Sequence, residues 1–411
     1  MKIVGLITEY NPFHNGHKYH IEQALKLTQA DAAIVVMSGN HVQRGTPAIL
    51  PKHLRATIAL SCGAAAVFEL PVCYATGSAE YFALGAVSFL ERLGCVDCIC
   101  FGTETSELST LKEIARILSD EPEAYRTFLQ QALKSGDSYP TARQKALTPF
   151  TGSDLDASLL ELPNNILGIE YLKALYRLHS DIVPYILPRA GAGYHDLSLD
   201  TEYASASAIR NVLSDMTGFE SPQLKRLVPE EAYAILTESY GKRYPIIADD
   251  YSLLLKYKLL TLDAARLTEY VDVTPDLANR ILKCRNQFIS FRQFCELLKT
   301  KQLTYTRISR ALLHILLEIR QTDVDAYRLH GFHGYARLLG FRKDSSSLLS
   351  ILKEKSAVPL LTKLTAVSSI EEPFQTMLAQ DIFASDLYES AITDKFHTPF
   401  KNEYEHQIVR F

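Results

Sequence analysis

Residues 14–17 read His-Asn-Gly-His and come directly after a short apolar run, "KIVGLITEY". Two imidazoles three positions apart, with a glycine between them, can both turn toward one ligand while the backbone approaches it closely. If a helix begins there, its unbonded N–H groups and positive dipole end favour an anion, above all a phosphate. Imidazole donors so placed stabilise the charge that builds on a phosphoryl group in its transition state. A second segment, "YASASAIR", brings Ser205, Ser207 and Arg210 to the start of another helix. Its hydroxyls can cap that helix or bond phosphate, and Arg210 can neutralise phosphate charge; a plain serine cap with a solvated arginine is the competing reading. The first turn carries neither G-x-G-x-x-G nor G-x-x-x-x-G-K-[ST], which disfavours the usual dinucleotide turn and P-loop hydrolysis.

The elements that must hold these groups follow from apolar spacing. "KIVGLITEY", "AAIVVMSGN", "AAAVFELP", "CVDCICFG" and "DIVPYILPR" are short, continuously apolar runs, and helical segments separate them. Strands apolar on both faces, each followed by a helix, define a parallel sheet covered on both sides. Ligands of such sheets collect at the carboxyl ends of the strands, and the first strand–helix turn is the preferred phosphate site. The alternation closes near residue 216. Beyond about residue 230, segments such as "EEAYAILTESYG" and "TRISRALLHILLEI" have helical periodicity without strand-turn alternation. The predicted organisation is therefore a parallel-sheet α/β domain over 1–225 and a mainly helical accessory domain over 226–411.

Bulk properties narrow the class. The chain has 411 residues, 47% hydrophobic and 22% charged, as an ordinary globular protein does, and a net charge of −4. Any nucleic-acid surface must then be a local patch. No stretch approaches the roughly 20 apolar residues of a membrane span, and the N-terminus turns polar too soon for a signal peptide. A cytoplasmic protein is expected. Cys95, Cys98 and Cys100 offer a C-x-x-C pair without a partner pair at zinc spacing, and they read as buried strand residues, with metal or redox use the minor alternative. Residues 280–320 hold nine Lys and Arg against two Glu, a local surplus of seven, interleaved with Phe288, Phe291, Phe294 and Tyr305. This suits phosphate tracking and base stacking by Lys283, Arg285, Arg292, Lys299, Lys301, Arg307 and Arg310. A solvated helical face over core aromatics is the alternative.

H-x-G-H after the first strand resembles the nucleotidyltransferase superfamily of the class I synthetase type, with "YASASAIR" standing where that superfamily has a hydroxyl-rich segment ending in a base. Its fold is Rossmann-like, and its histidines bind ATP phosphates while the α-phosphate is attacked and pyrophosphate leaves. Alanines 206 and 208 depart from the fuller hydroxyl pattern. More of the chain is similar to the bacterial tRNA(Met) cytidine acetate ligase family: "GLITEYNPFHNGHKYH", "MSGNHVQRGTPA", "PVCYATGSAEYFALGAV", "PNNILGIEYLKAL", "RAGAGYHD" and "YTRISRALLHILL". His41 stands where an aromatic such as Phe is expected.

The resemblance implies a ligase that activates acetate with ATP as acetyl-adenylate. It then acetylates N4 of the wobble cytidine, position 34, of elongator tRNA(Met), releasing AMP. It also implies an ATP site on Ile7, Thr8, Glu9, Tyr10, Asn11, Pro12, Phe13, His14, Asn15, Gly16, His17, Lys18, Tyr19 and His20. His14, His17 and Arg210 would be catalytic. Gly102, Asn164 or Asn165, Arg189, Ser205 and Ser207 would complete the nucleotide contacts, although either asparagine could instead cap a helix. Gln43 and Arg44 could bind a carboxylate or a flipped base, or form a solvated loop. Magnesium is expected with the ATP phosphates, and no dedicated carboxylate cage is visible. Two other readings are an adenylyltransferase of a cofactor pathway acting on a phosphorylated small molecule, and an RNA-binding protein that keeps ATP as a structural ligand.

Overall fold

The computed structural model describes residues 1–411 except 138, 152–156, 189–204, 216–221 and 366–369. The first half forms β1 (Ile3–Thr8), β2 (Ala32–Ser38), β3 (His41–Val42), β4 (Thr46–Pro47), β5 (Ala66–Leu70), β6 (Cys98–Thr103) and β7 (Val183–Pro188). Five of these make one parallel sheet in the order β5-β2-β1-β6-β7, while β3 and β4 pair as a small antiparallel hairpin. Residues along each strand alternate between two buried clusters. Val4, Leu6, Val35 and Val67 pack with Ile21 and Ile58 on one face, and Ile34, Val36 and Phe68 pack with Phe82, Leu90 and Leu172 on the other. The doubly covered sheet read from the apolar runs is therefore the one observed.

Strand order reverses between β1 and β6: β2 and β5 add on one side of β1, and β6 and β7 on the other. That break leaves an open crevice at the carboxyl ends of β1 and β6, because the connections from the two strands leave to opposite faces.

The second half is rich in helices, as expected, but it also extends the sheet. β8 (Ala336–Phe341) pairs antiparallel with β5, and β9 (Leu360–Leu361) and β10 (Val409–Arg410) pair parallel with β8. The run "YARLLGF" is apolar like the earlier strands but stands alone among helices, so no alternation marks it. Its placement covers the edge of β5, which would otherwise present unpaired backbone groups to solvent.

A buried charged cluster fixes this junction. Lys52, with no exposed surface, donates to Glu69 at 2.7 and 2.8 Å and to Ser385 at 2.7 Å, and pairs with Glu403 at 2.8 Å. Arg337 on β8 pairs with the same two carboxylates. Nearby, Asp381 accepts from the Tyr335 hydroxyl at 2.6 Å and from Val72 N–H at 2.7 Å. Lys52→Met would strand two buried carboxylates opposite one remaining cation, and a loss of about 3–5 kcal/mol is expected from denaturant unfolding.

The same cluster sets a pH window. Burial pushes the Glu403 carboxyl up, but Lys52 and Arg337 outweigh it and hold the group well below the usual carboxylate range. Its contribution is present above the unfolded carboxylate value, about 4.5, and is lost as pH falls below it. Asp381 is raised to about 7 by burial and by Glu69. Its contribution runs the other way, full below its unfolded value of about 3.8 and lost as pH rises through 7. From these two groups, stability measured by urea titration is expected to peak near pH 4.5 and to decline from there toward pH 7, with the acid limb flattened in Glu403→Gln.

Among the described residues no helix is long and apolar enough to cross a membrane.

Candidate active site

The crevice at the strand-order break is a cleft of about 270 Å³. Ile7 and Thr8 from β1, Phe101 and Gly102 from β6, and Leu187 and Pro188 from β7 form its floor and side. Three helices open onto it by their N-termini: Asn15–Thr28, Pro163–Arg177 and Ala206–Asp215. Their dipoles and first-turn amides make the space favourable to anions.

The helix Asn15–Thr28 starts where it does because two histidines cap it reciprocally. His14, extended at φ −144° and ψ 174°, accepts on Nδ1 from Gly16 N–H at 3.1 Å, and His17 Nδ1 accepts from His14 N–H at 3.2 Å. An Nδ1 that accepts from the backbone places the neutral ring's proton on Nε2. Both rings, stacked with centroids 3.7 Å apart, thus carry an Nε2–H donor at the cleft wall. The edges of Tyr10 and Phe13 support the His17 ring at 4.9 and 5.5 Å. Gly16 lies inside the first helical turn without a positive φ, so what it contributes is a missing side chain. The left-handed residue of the turn is Tyr10, at φ 48°.

Arg210 is aimed at the same turn. It donates to the carbonyl of Asn11 at 2.6 Å and to the Ser207 hydroxyl at 2.9 Å, and both Arg210 and Ser207 line the cleft. Ser205 also lines it while accepting from Ala208 N–H at 3.1 Å, so its cap role and its place in the site coexist. Asn11 is fixed from both ends, its side chain accepting from Ile49 N–H at 2.8 Å.

Of the first motif, Ile7, Thr8, Glu9, Tyr10, Asn11, His14, Gly16, His17, Tyr19 and His20 line the cleft. Pro12, Phe13, Asn15 and Lys18 do not. Phe13 is fully buried behind the rings, Asn15 donates to Arg226 O at 2.7 Å, and Lys18 pairs with Glu231 at 3.2 Å. A helix shows only one side to a cleft, so from residue 14 onward only some of these positions face it.

Gly102 and Asn164 line the cleft; Asn165 does not. Asn165 is buried and accepts from Glu104 N–H at 2.9 Å, while Glu104 caps the helix at Asn164 and Asn165. Arg189 lies outside the described residues. Gln43 and Arg44, in the β3–β4 hairpin, face the cleft, and Gln43 N–H donates to Glu9 at 2.9 Å. His41 fills an aromatic slot instead of the expected Phe, 2.9 Å from the Tyr251 hydroxyl, with Tyr388 at its edge. Burial, with Lys52 and Arg55 nearby, lowers its titration to about 3, so it stays neutral.

Sequence reading missed Arg55. This buried guanidinium donates to the carbonyls of Glu9 at 2.6 Å, Ser38 at 3.1 Å and Leu50 at 3.0 Å, and also to Gly39. It locks the turns after β1 and β2 together, an assignment that no local motif around "KHLRATIAL" could reveal.

The basic segment divides. Lys283, Arg292, Lys299 and Lys301 are exposed. Arg307 is only half-buried. Arg310 is instead tied to Asp272 at 2.9 Å, and Arg285 donates to Leu259 O at 3.1 Å. Phe288, Phe291 and Phe294 are core residues, which removes them as base-stacking platforms. Counting charge along one segment could not foresee acids such as Asp272 arriving from another.

Cys95, Cys98 and Cys100 are buried, as the strand reading has them, and burial pushes Cys100 up to about 12 and Cys95 to about 11, away from thiolate chemistry.

A switch-point cleft with a His-x-Gly-His helix start belongs to one class of enzyme, and the chain matches the HIGH nucleotidyl transferase family over residues 1–403. It is 40% identical over 393 residues to the tRNA(Met) cytidine acetate ligase of Acetivibrio thermocellus, covering 94% of each chain, and 39% identical to that of Caldanaerobacter subterraneus, covering all of both. The fold matches that of Thermotoga maritima TmcAL, 31% identical, with a TM-score of 0.93 to the apo crystal form over the whole of both chains. The score is 0.90 to the form bound with alpha-thio ATP, over 100% of this chain and 99% of that one. The chain belongs to the tRNA(Met) cytidine acetate ligase family.

The hairpin that presents Gln43 and Arg44 rests on the second half of the chain. Gly45, at φ 74°, accepts on its carbonyl from the Ser309 hydroxyl at 2.8 Å, and a Cβ on it would meet Arg310 N at 2.3 Å. Gly45→Ala is expected to displace the hairpin, destabilise the protein by about 1–3 kcal/mol and lower turnover more than ATP affinity. Unfolding and steady-state kinetics on one preparation would check both.

Proposed function

We propose that this protein acetylates N4 of the wobble cytidine of elongator tRNA(Met), in the cytoplasm, using acetate and ATP. An acetate oxygen attacks the α-phosphorus, the bond to pyrophosphate breaks, and acetyl-adenylate forms. The cytidine amine then attacks the acetyl carbonyl, loses a proton, and AMP leaves. The observation that carries this reading is the pair of Nε2–H donors fixed by the reciprocal cap beside Arg210. In it the histidines hold phosphate oxygens as charge builds, Arg210 attracts the leaving pyrophosphate, and Gly102 and Asn164 flank the adenosine. Gln43 and Arg44 receive the acetate carboxylate or the extruded base, and Arg189 completes the nucleotide contacts.

Residues 1–225 supply the nucleotide chemistry, and 226–411 supply tRNA contacts through exposed Lys283, Arg292, Lys299 and Lys301. Magnesium would travel on the ATP phosphates. The cleft does not fit a dedicated ion cage, since Glu9 accepts from Gln43 N–H and Glu104 is engaged at a helix start.

Labelled acetate, ATP and total bacterial tRNA separate the readings. Label in one tRNA species with stoichiometric AMP is expected; AMP transfer to a small phosphorylated acceptor with unlabelled tRNA would contradict the proposal. His14→Asn retains a side-chain acceptor for the cap and removes one Nε2 donor. A loss of about 10²–10³ in turnover is expected, with melting temperature and tRNA affinity close to those of the parent.

A further inference from the structure

A second cavity, of about 350 Å³, lies along the outer side of β8, where β9 and β10 pair with it, about 15 Å and three strand spacings from β1. Arg337, Lys363 and Arg410 line it, together with His53 and His406, whose rings stack at 4.5 Å and 8°. Among the described residues no acidic side chain lines it, in a protein of net charge −4.

Its floor has an unused donor. Arg337 is 6% exposed; its Nε faces Glu69 at 3.5 Å and one terminal nitrogen pairs with Glu403. The other, Nη1, is buried without a partner. Lys52 engages the same two carboxylates, so two cations already balance two anions. A buried guanidinium nitrogen left without an acceptor is costly, and its presence in a cationic cavity marks the place for one. The helix Lys52–Ser61 brings His53, in its first turn, to the cavity wall, while the Lys52 N–H at its start is already taken by Asn40 Oδ1 at 2.7 Å.

We infer that this cavity is a second anion site that takes a phosphoryl group, bound by Arg337 Nη1 from below and by Lys363 and Arg410 at the rim. The site is independent of the reaction proposed above. The phosphoryl group could be that of free phosphate or a backbone phosphate of bound RNA, and one set of measurements distinguishes them.

Arg337 belongs to the buried cluster, so the exposed rim residues are the ones to change: Lys363→Glu with Arg410→Glu. With the ATP cleft saturated by a non-hydrolysable ATP analogue, calorimetric titration of inorganic phosphate is expected to show one site, weakened at least about tenfold in the double variant. If phosphate also competes with tRNA and the variant loses tRNA affinity, the anion is a backbone phosphate. If tRNA affinity is unchanged, it is free phosphate. No uptake by the parent protein, or equal uptake by the variant, overturns the assignment.

Discussion

Two histidines that cap one helix through each other impose the geometry on which the site depends. A backbone N–H held at each Nδ1 fixes ring orientation and tautomer together, so the donors facing the cleft are set before any ligand arrives. The cap works only if the turn before it is rigid. Tyr10 and Phe13 pack the rings, Asn11 is held by Arg210 and Ile49, and Arg55 gathers the carbonyls of the turns after β1 and β2. The fully buried Arg55 is lowered by burial to about 10, still charged at neutral pH. Preorganised dipoles of this kind need no reorganisation as phosphoryl charge develops.

The second half of the chain is built into this arrangement. β8 closes the sheet edge, Lys52 joins β5 to the helix Phe374–Phe396 through Glu69 and Ser385, and the helix Tyr305–Leu316 supports the β3–β4 hairpin at Gly45. His314 on that helix is fully buried, with one ring nitrogen 3.1 Å from Val271 O and the other 3.1 Å from Thr76 O. The residues that line the cleft and the helices of the second half are therefore packed into one frame.

Much of this was legible in the sequence because the signals were local. Apolar runs separated by helices gave the five parallel strands in their places, and His-x-Gly-His after the first of them marked the cleft. Ser205, Ser207 and Arg210 followed from their position at a helix start. What escaped depends on contacts between distant segments. Arg55 and Glu104 look like ordinary charged residues until the fold supplies their partners. β8 is an isolated apolar run in a helical neighbourhood. For the basic segment the alternative reading, aromatics in the core, is the one that holds, and nothing in residues 280–320 shows that Asp272 pairs with Arg310.

In the proposed reaction the cleft activates acetate on ATP before any RNA amine is involved. Exchange of labelled pyrophosphate into ATP, measured without tRNA, tests it most directly. Exchange is expected to appear on adding acetate and to be absent without it. Exchange indifferent to acetate, or appearing only when tRNA is present, would contradict it.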